Sequence, residues 1–224
     1  MRAQAKPPRR KWPWIVIGVI VAALIAYALY AVATNKPVTE PTPEPTTSES
    51  TPVDSVPTGC LGGDGLDAGT LLATQDNAAH STSGAVEVAA ALTRWAYQYP
   101  YPSAEDAQAA SGSVISSKAP DSFRDLVGFF ASEPNLSGGL VADNTEYRLS
   151  TVTGVWYIDS EAPDQVTTSI GSAFVVDGQL SSSLKASTTV TLRWENGAWR
   201  ADQLAGAHTT EELFEIGTPF TGGC

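Results

Sequence analysis

The sequence predicts an α+β protein carried on a single N-terminal membrane span, and three observations lead there. An uncharged apolar run, Trp14 to Ala33, follows a basic tail. The chain after residue 59 reads first with helical periodicity and then, from Tyr147, with strand alternation. Two glycine turns, Asp177-Gly178 and Asn196-Gly197, separate the strand segments. Helices first and antiparallel strands after them is the α+β pattern.

The apolar run sets the topology. It is 20 residues long and contains no charged, His, Asn or Gln residue. A helix rising about 1.5 Å per residue needs about 20 apolar residues to cross a bilayer. Residues 1–13 carry Arg2, Lys6, Arg9, Arg10 and Lys11 and no acidic residue. That asymmetry holds the N-terminus in the cytoplasm and places everything from Thr34 outside. Trp12, Trp14, Tyr27 and Tyr30 sit towards the ends of the run, where amphipathic rings favour the interface. Ala31-Val32-Ala33 resembles a signal-peptidase site, but the run exceeds the roughly 7–15 apolar residues of a secretory signal. The expectation is an uncleaved, single-pass protein of the cell membrane with an extracellular C-terminal domain.

The charge balance excludes one class of partner. Thirteen basic residues stand against 24 acidic ones; without the five of the tail, 8 remain. A surface that acidic repels nucleic acid and anionic lipid, so direct DNA binding is not expected. Residues 34–58 form a linker rich in Pro, Thr, Ser and Glu that cannot bury enough surface to fold. At about 3.1 Å per residue its Pro-rich stretch could hold the domain about 70 Å from the bilayer. The remaining residues, 59–224, suffice for one domain with a sizeable core.

Two cysteines, Cys60 and Cys224, stand at the first residues of this domain and at its last. Outside the cytoplasm thiols pair, so a Cys60–Cys224 disulfide tying the ends is expected. Gly222 and Gly223 give the last residue reach. Cys60 is no lipidation site, because Pro, Thr and Glu precede it rather than an apolar run.

A glycine-rich approach, Gly59 to Gly69, leads into a first helix over about Ser83 to Tyr99. Val88, Leu92, Trp95 and Tyr99 share one face there, and Pro100 and Pro102 stop it. Ser103, with Asp106 three residues on, caps a second, weaker helix to about Ser116. Asp121 is expected to cap a third, with Phe123, Leu126, Val127 and Phe130 on its buried side. Gly138-Gly139 closes the helical half. Tyr147 to Tyr157, Val166 to Val176 and Leu184 to Trp194 then read as strands. Asn196-Gly197 is a strong two-residue hairpin signal. It sets Trp194 opposite Trp199, on one face with Leu192 and Ala201, and Arg193 opposite Arg200, a repulsion that Asp202 or Glu195 must relieve. Strict pairing through Asp177-Gly178 would oppose Lys185 to Ile170, so a bulge or longer loop is expected there. Thr209-Thr210-Glu211-Glu212 reads as a capping box before a short helix ending near Gly217.

The residues offer little chemistry. His80 and His208 are the two histidines, and no metal-ligand spacing exists; no metal or cofactor is expected. Gly62-Gly63-Asp64-Gly65 follows no strand and opens no helix, so it is a poor phosphate loop. No Gly-x-Ser-x-Gly elbow accompanies the serines and histidines, and the two histidines read as solvated loop residues. Asp121, Asp125 and Asp159 are the nearest acid–base candidates. Each has a plainer reading: a cap, an exposed helix position and a turn. The chain is therefore expected not to be an enzyme. Tyr97 and Tyr101, in the cluster Trp95, Tyr97, Tyr99 and Tyr101, are candidate interface residues, although core and cap is the more economical reading.

The order of three helices and about four strands, ending in Trp194-Glu195-Asn196-Gly197-Ala198-Trp199-Arg200, resembles the nuclear-transport-factor-2-like fold, a curved sheet wrapped on helices. With its anchor and linker the chain resembles the scaffold subunits of conjugative type IV secretion systems of Gram-positive bacteria. It is also similar to small membrane proteins of actinobacterial conjugative elements, through Cys60-Leu61-Gly62-Gly63 and Ser83-Gly84-Ala85-Val86. Only one such domain fits here, where many Gram-positive scaffold subunits have two. The resemblance implies a non-enzymatic structural part of a DNA-transfer apparatus, whose ectodomain contacts other membrane or secretion-apparatus proteins, or itself. The competing expectation is an extracellular ligand- or lipid-binding module, or a transporter accessory protein, using the fold's pocket. An apolar cavity of a few hundred Å³ would mark that class. An aspartate buried in such a cavity would mark catalysis instead.

Overall fold

The computed structural model describes residues 55–132 and 135–224. The basic tail, the expected span Trp14 to Ala33 and the linker up to residue 54 lie outside the described residues. Among the described residues no helix is long and apolar enough to cross a membrane.

The described chain is α+β, with helices packed on a curled antiparallel half-barrel. Its helices are α1 (Ala68–Asn77), α2 (Thr82–Ala96), α3 (Ala104–Ser113), α4 (Asp121–Arg124), α5 (Leu126–Ser132) and α6 (Thr210–Ile216). Its strands are β1 (Gln98–Tyr99), β2 (Tyr147–Ala162), β3 (Gln165–Val176), β4 (Gln179–Glu195), β5 (Ala198–Ala205) and β6 (Thr218–Pro219). The four long strands β2 to β5 pair in chain order, β1 extends the sheet beside β2, and β6 also pairs β2.

The expected count of three helices and about four strands is therefore too small. The sequence reading passed over α1, whose cap is Asp67 accepting from Thr70 N at 2.8 Å. The single third helix is two pieces. Asp121 does not cap it: Pro120 holds that position without a side-chain bond, while Asp121 lies in the first turn and pairs with Arg124. Asp125 separates the pieces and caps the second, its Oδ1 accepting from Gly128 N at 2.9 Å. Leu126 and Phe130 face the core, but Val127 is exposed.

Helix α2 is the axis of the fold, buried over every residue from Ser83 to Ala96. Ser81 caps it by accepting from Gly84 N. Position 84 admits only glycine, since a Cβ would lie 2.1 Å from the Ala79 carbonyl oxygen. Val86, Val88, Ala89, Leu92 and Trp95 join Val166, Ile170, Val190, Leu192 and Trp199 in one core. Side chains alternate along a strand, and successive residues of β3 accordingly serve two layers. Ile170 faces the α2 core, whereas a Cβ on Gly171 would meet Phe214 of α6. Helix α6 therefore covers the other face of the sheet. It begins at its Thr209 cap and ends before Gly217, as the capping box predicts.

Four irregularities bend the sheet, as extra residues in one strand of a pair do, one of them at Asp159 between Ile158 and Ser160 of β2. Between Ser150 and Val155, β2 carries extra residues, and the C-terminal segment docks there: Thr151 N donates to Cys224 O and Phe220 N to Gly154 O. Past the Asp177-Gly178 turn the register shifts, so that Ile170 faces Thr188 rather than Lys185. That is the bulge the sequence required. In the last hairpin Trp194 opposes Trp199 and Arg193 opposes Arg200, again as predicted. Asp202, the extra residue of a bulge in β5, accepts from Arg193 Nε at 2.9 Å.

The ends of the domain are fastened twice. Cys60 and Cys224 form the expected disulfide, across 164 residues of sequence. Beside it, the buried carboxylate of Glu87 accepts from Thr58 N and Oγ1, Gly59 N and Leu61 N. Two turns along α2, the buried Arg94 donates to the Gly63 and Gly65 carbonyls and touches Cys224 Sγ. Pro57 and Thr58, read as the end of the linker, are thus part of the fold, and Pro57 O accepts from Thr221 N.

Candidate functional site

A cavity of about 590 Å³ opens between the C-terminal end of α2 and the strand β5. The stop of α2 at Ala96 turns Leu92, Trp95, Ala96 and Tyr97 towards it. The segment 120–130 supplies the opposite wall with Pro120, Ser122, Phe123, Leu126, Phe129 and Phe130. Leu136, Leu204 and Gln203 complete it. The aromatic wall is self-supporting: Phe130 meets Trp95 edge-on at 5.6 Å and Phe129 at 5.4 Å between ring centroids.

The chemistry of the lining is uniform. Among the described residues no Asp, Glu, His, Lys, Arg or Cys lines the cavity. The Tyr97 phenol, neutral at pH 7 in any case, has its pKa pushed further up by burial, and its hydroxyl is engaged with the Thr188 side chain. The other polar groups of the lining residues are Ser122 and Gln203, both on exposed residues, and the buried Trp95 indole N–H, which has no hydrogen-bond partner among the described residues. Such a site can hold an apolar body and hydrogen-bond a polar end, but it supplies no general acid or base near neutral pH.

The acid–base candidates lie elsewhere. Asp121 and Asp125 are exposed, on the outside of α4 and at the break before α5. Asp159 is not in a turn; it is a half-buried residue of β2. There it meets His208, which is not a solvated loop residue either: its side chain is 16% exposed. His208 Nε2 stands 2.7 Å from Asp159 Oδ1, and Nδ1 stands 3.2 Å from Glu212 Oε1 on α6. Ser169 Oγ donates to the other Asp159 oxygen at 2.7 Å. The hydrogen bond to Asp159, then that to Glu212, holds the imidazole pKa above its usual value. With Asp159 bonded to one ring nitrogen and Glu212 close to the other, His208 ties the sheet to α6, and both carboxylates favour its cationic form. His80 stacks on Trp194 at 4.2 Å and lies 3.0 Å from Asp164 Oδ1 at the surface.

Tyr97 and Tyr101 are both half-buried and packed against the core. Tyr101 stacks on Phe130, and its hydroxyl accepts from Leu136 N at 3.1 Å. The structure brings Tyr97 to the cavity and fixes Tyr101 behind its wall. No group of His, Cys, Asp or Glu that could hold a metal occurs among the described residues. The sequence reading named neither the cavity wall as a site nor Gln203 and Leu204. The apolar run Leu126–Phe130 was visible, but only as a helix face.

The chain matches no protein-family model, and neither curated proteins nor solved structures give a significant match.

Proposed function

We propose that the protein is a membrane-tethered ligand-binding module, anchored by Trp14 to Ala33, whose extracellular domain takes a small apolar molecule into the cavity beside α2. One observation carries this reading: a cleft of about 590 Å³, open to solvent on one side, lined by Leu92, Trp95, Phe123, Phe129, Phe130 and Leu204. A core that only needs stability packs to organic-crystal density. A space of this size is within the range of small-molecule sites. The lining has no ionisable group suited to acid–base work near neutral pH, which favours binding over catalysis. Trp95 at the cavity wall provides the test. A neutral apolar quencher should reduce the tryptophan fluorescence of the full-length chain with a saturable component, and Leu204→Arg, which sets a charge in the apolar lining without adding a fluorophore, should abolish that component. Linear, non-saturating quenching in both would sink the proposal.

A second reading keeps the domain as a scaffold in a conjugative DNA-transfer apparatus, with a nuclear-transport-factor-2-like ectodomain. It draws support from the element order, helices and then a curled antiparallel sheet. In that role Tyr101 and the exposed Val152, Leu180 and Ile216 are contact points for partner subunits or a second copy. Cross-linking in intact cells through a C-terminal tag separates the two readings. Recovery of a secretion ATPase, a polytopic channel subunit or a relaxase supports the scaffold. Recovery of the protein alone, or with a transporter, supports the ligand-binding module.

A further inference from the structure

The disulfide that ties the ends of the domain stands against a buried cation. We propose that Cys60–Cys224 is a thiol–disulfide exchange site, at which a dithiol attacks Cys60 Sγ and expels Cys224 as a thiolate held by Arg94. Three observations lead there. Arg94 is only 2% exposed, yet no carboxylate among the described residues bonds to it. Its guanidinium donates to the Gly63 and Gly65 carbonyls at 3.1 and 3.2 Å and otherwise faces sulfur. It favours one sulfur over the other: it touches Cys224 Sγ and stands 3.9 Å from Cys60 Sγ. The bond is also within reach of solvent, since both cysteines are half-buried and Cys60 sits beside the exposed Gly62 and Asp64.

A guanidinium keeps its charge in a protein, and a thiol beside Arg ionises more readily than a free one. Arg148 of β2, close enough to Arg94 to repel it, adds a second cation. Asp64 and Glu87 act the other way, but the Glu87 charge is taken up by Thr58, Gly59 and Leu61. The Gly63 carbonyl, 3.4 Å from Cys224 Sγ, is an acceptor that favours the thiol, and Arg94 engages that same oxygen. A thiol that ionises readily leaves faster in exchange, so the attack falls on Cys60. The dithiol's first sulfur loses its proton to water and bonds to Cys60 Sγ. The S–S bond breaks and its electron pair goes to Cys224, against Arg94. The dithiol's second sulfur then displaces Cys60, which takes the second proton. Two electrons pass to the protein, and the dithiol becomes a disulfide. The opened ends stay in place, because Glu87 still holds Gly59 and Leu61 and Thr151 N still donates to Cys224 O. The reverse exchange therefore closes the same bond.

The test treats the oxidised full-length chain with glutathione, whose single thiol stops the sequence at the mixed disulfide. Acid quenching and mass spectrometry then show which cysteine carries it. Cys60 should carry at least about tenfold more than Cys224, and the urea-unfolded chain should show no such preference. Equal labelling, labelling first at Cys224, or a native chain that does not react while the unfolded one does, overturns the proposal. Access alone could favour Cys60, so thiolate absorbance is titrated in the single-cysteine variants Cys60→Ser and Cys224→Ser. The Cys224 thiol should ionise at least about one pH unit below the Cys60 thiol, and in urea both should return to about 8.5. Coincident titrations, or Cys60 ionising first, mean that Arg94 does not hold the leaving sulfur and overturn the proposal. Should a variant fail to fold, the reduced wild-type chain serves: two separate titrations are expected, and coincident ones refute it.

Discussion

Glu87→Gln is the sharpest test of how the domain closes on its own ends. The carboxylate accepts from four donors, Thr58 N, Thr58 Oγ1, Gly59 N and Leu61 N, at 2.5 to 3.2 Å. Glutamine keeps the shape but replaces one acceptor oxygen by a donor. If the amide nitrogen takes the Oε2 place, it confronts Gly59 N and Leu61 N; if it takes the Oε1 place, it confronts Thr58 N and Gly59 N, while the Thr58 hydroxyl can turn to accept. Either way two charge-assisted bonds are lost, each worth about 1.5–3 kcal/mol. The expected loss is therefore about 3–5 kcal/mol. For a domain of this size about 2–4 °C of Tm accompanies each kcal/mol. A fall of about 6–20 °C should appear in thermal unfolding of the oxidised full-length chain followed by circular dichroism. The same segment is held by the disulfide, so the two effects should couple: in the reduced protein the substitution should cost much less. A shift under about 2 °C in the oxidised protein refutes the claim that this carboxylate holds the N-terminal segment.

Three further outcomes are expected. Breaking the Cys60–Cys224 bond, by reductant or by Cys224→Ser, should lower stability by up to about 5 kcal/mol from loop entropy over 164 residues; an unchanged Tm, with the thiols shown to have been paired beforehand, contradicts it. His208 has a raised folded-state pKa, so its clamp is fully present below its unfolded value of about 6.5 and is lost as pH rises through the folded value. The stability difference between wild type and His208→Gln should therefore be largest at pH 5.5–6 and shrink above about 6.5; a difference that grows with pH reverses the assignment. Gly171→Ala would put a Cβ 2.7 Å from Val155 Cγ2 and 2.8 Å from Phe214 Cε2. It should destabilise by about 1–3 kcal/mol through overpacking, measured by urea unfolding, and a neutral result would mean that α6 does not press on the sheet there.

The legible parts of the chain were those governed by local rules. Asn196-Gly197 and Asp177-Gly178 adopt the positive φ angles that two-residue hairpins need, so the register of β4 on β5 followed from the sequence. The conflict between Lys185 and Ile170 announced the bulge in β4. Ser103 and Thr209 cap the helices they were expected to cap. Helix α1 was invisible because its inner face is half polar. Thr74 and Gln75 are buried beside Ala68 and Leu71, and Gln75 Nε2 donates to Ser113 O and Trp199 O. No apolar periodicity survives that. Glu87 and Arg94 were hidden for a related reason: charged residues in a helix read as its solvated side, and their partners are backbone groups that no motif marks. His208 and Asp159 lie 49 residues apart, a pairing that only the sheet register creates. The cavity escaped because Phe123, Leu126 and Phe130 look the same to sequence reasoning whether they fill a core or line a space.

The central claim is that the cavity is made to be occupied. Native mass spectrometry of the full-length chain, extracted from its own membranes without exchange of bound lipid, tests it most directly. The account predicts one small apolar molecule bound per chain, lost in the Leu204→Arg variant while the anchor's annular lipids remain. A chain that carries only annular lipid, identical in wild type and variant, would contradict it.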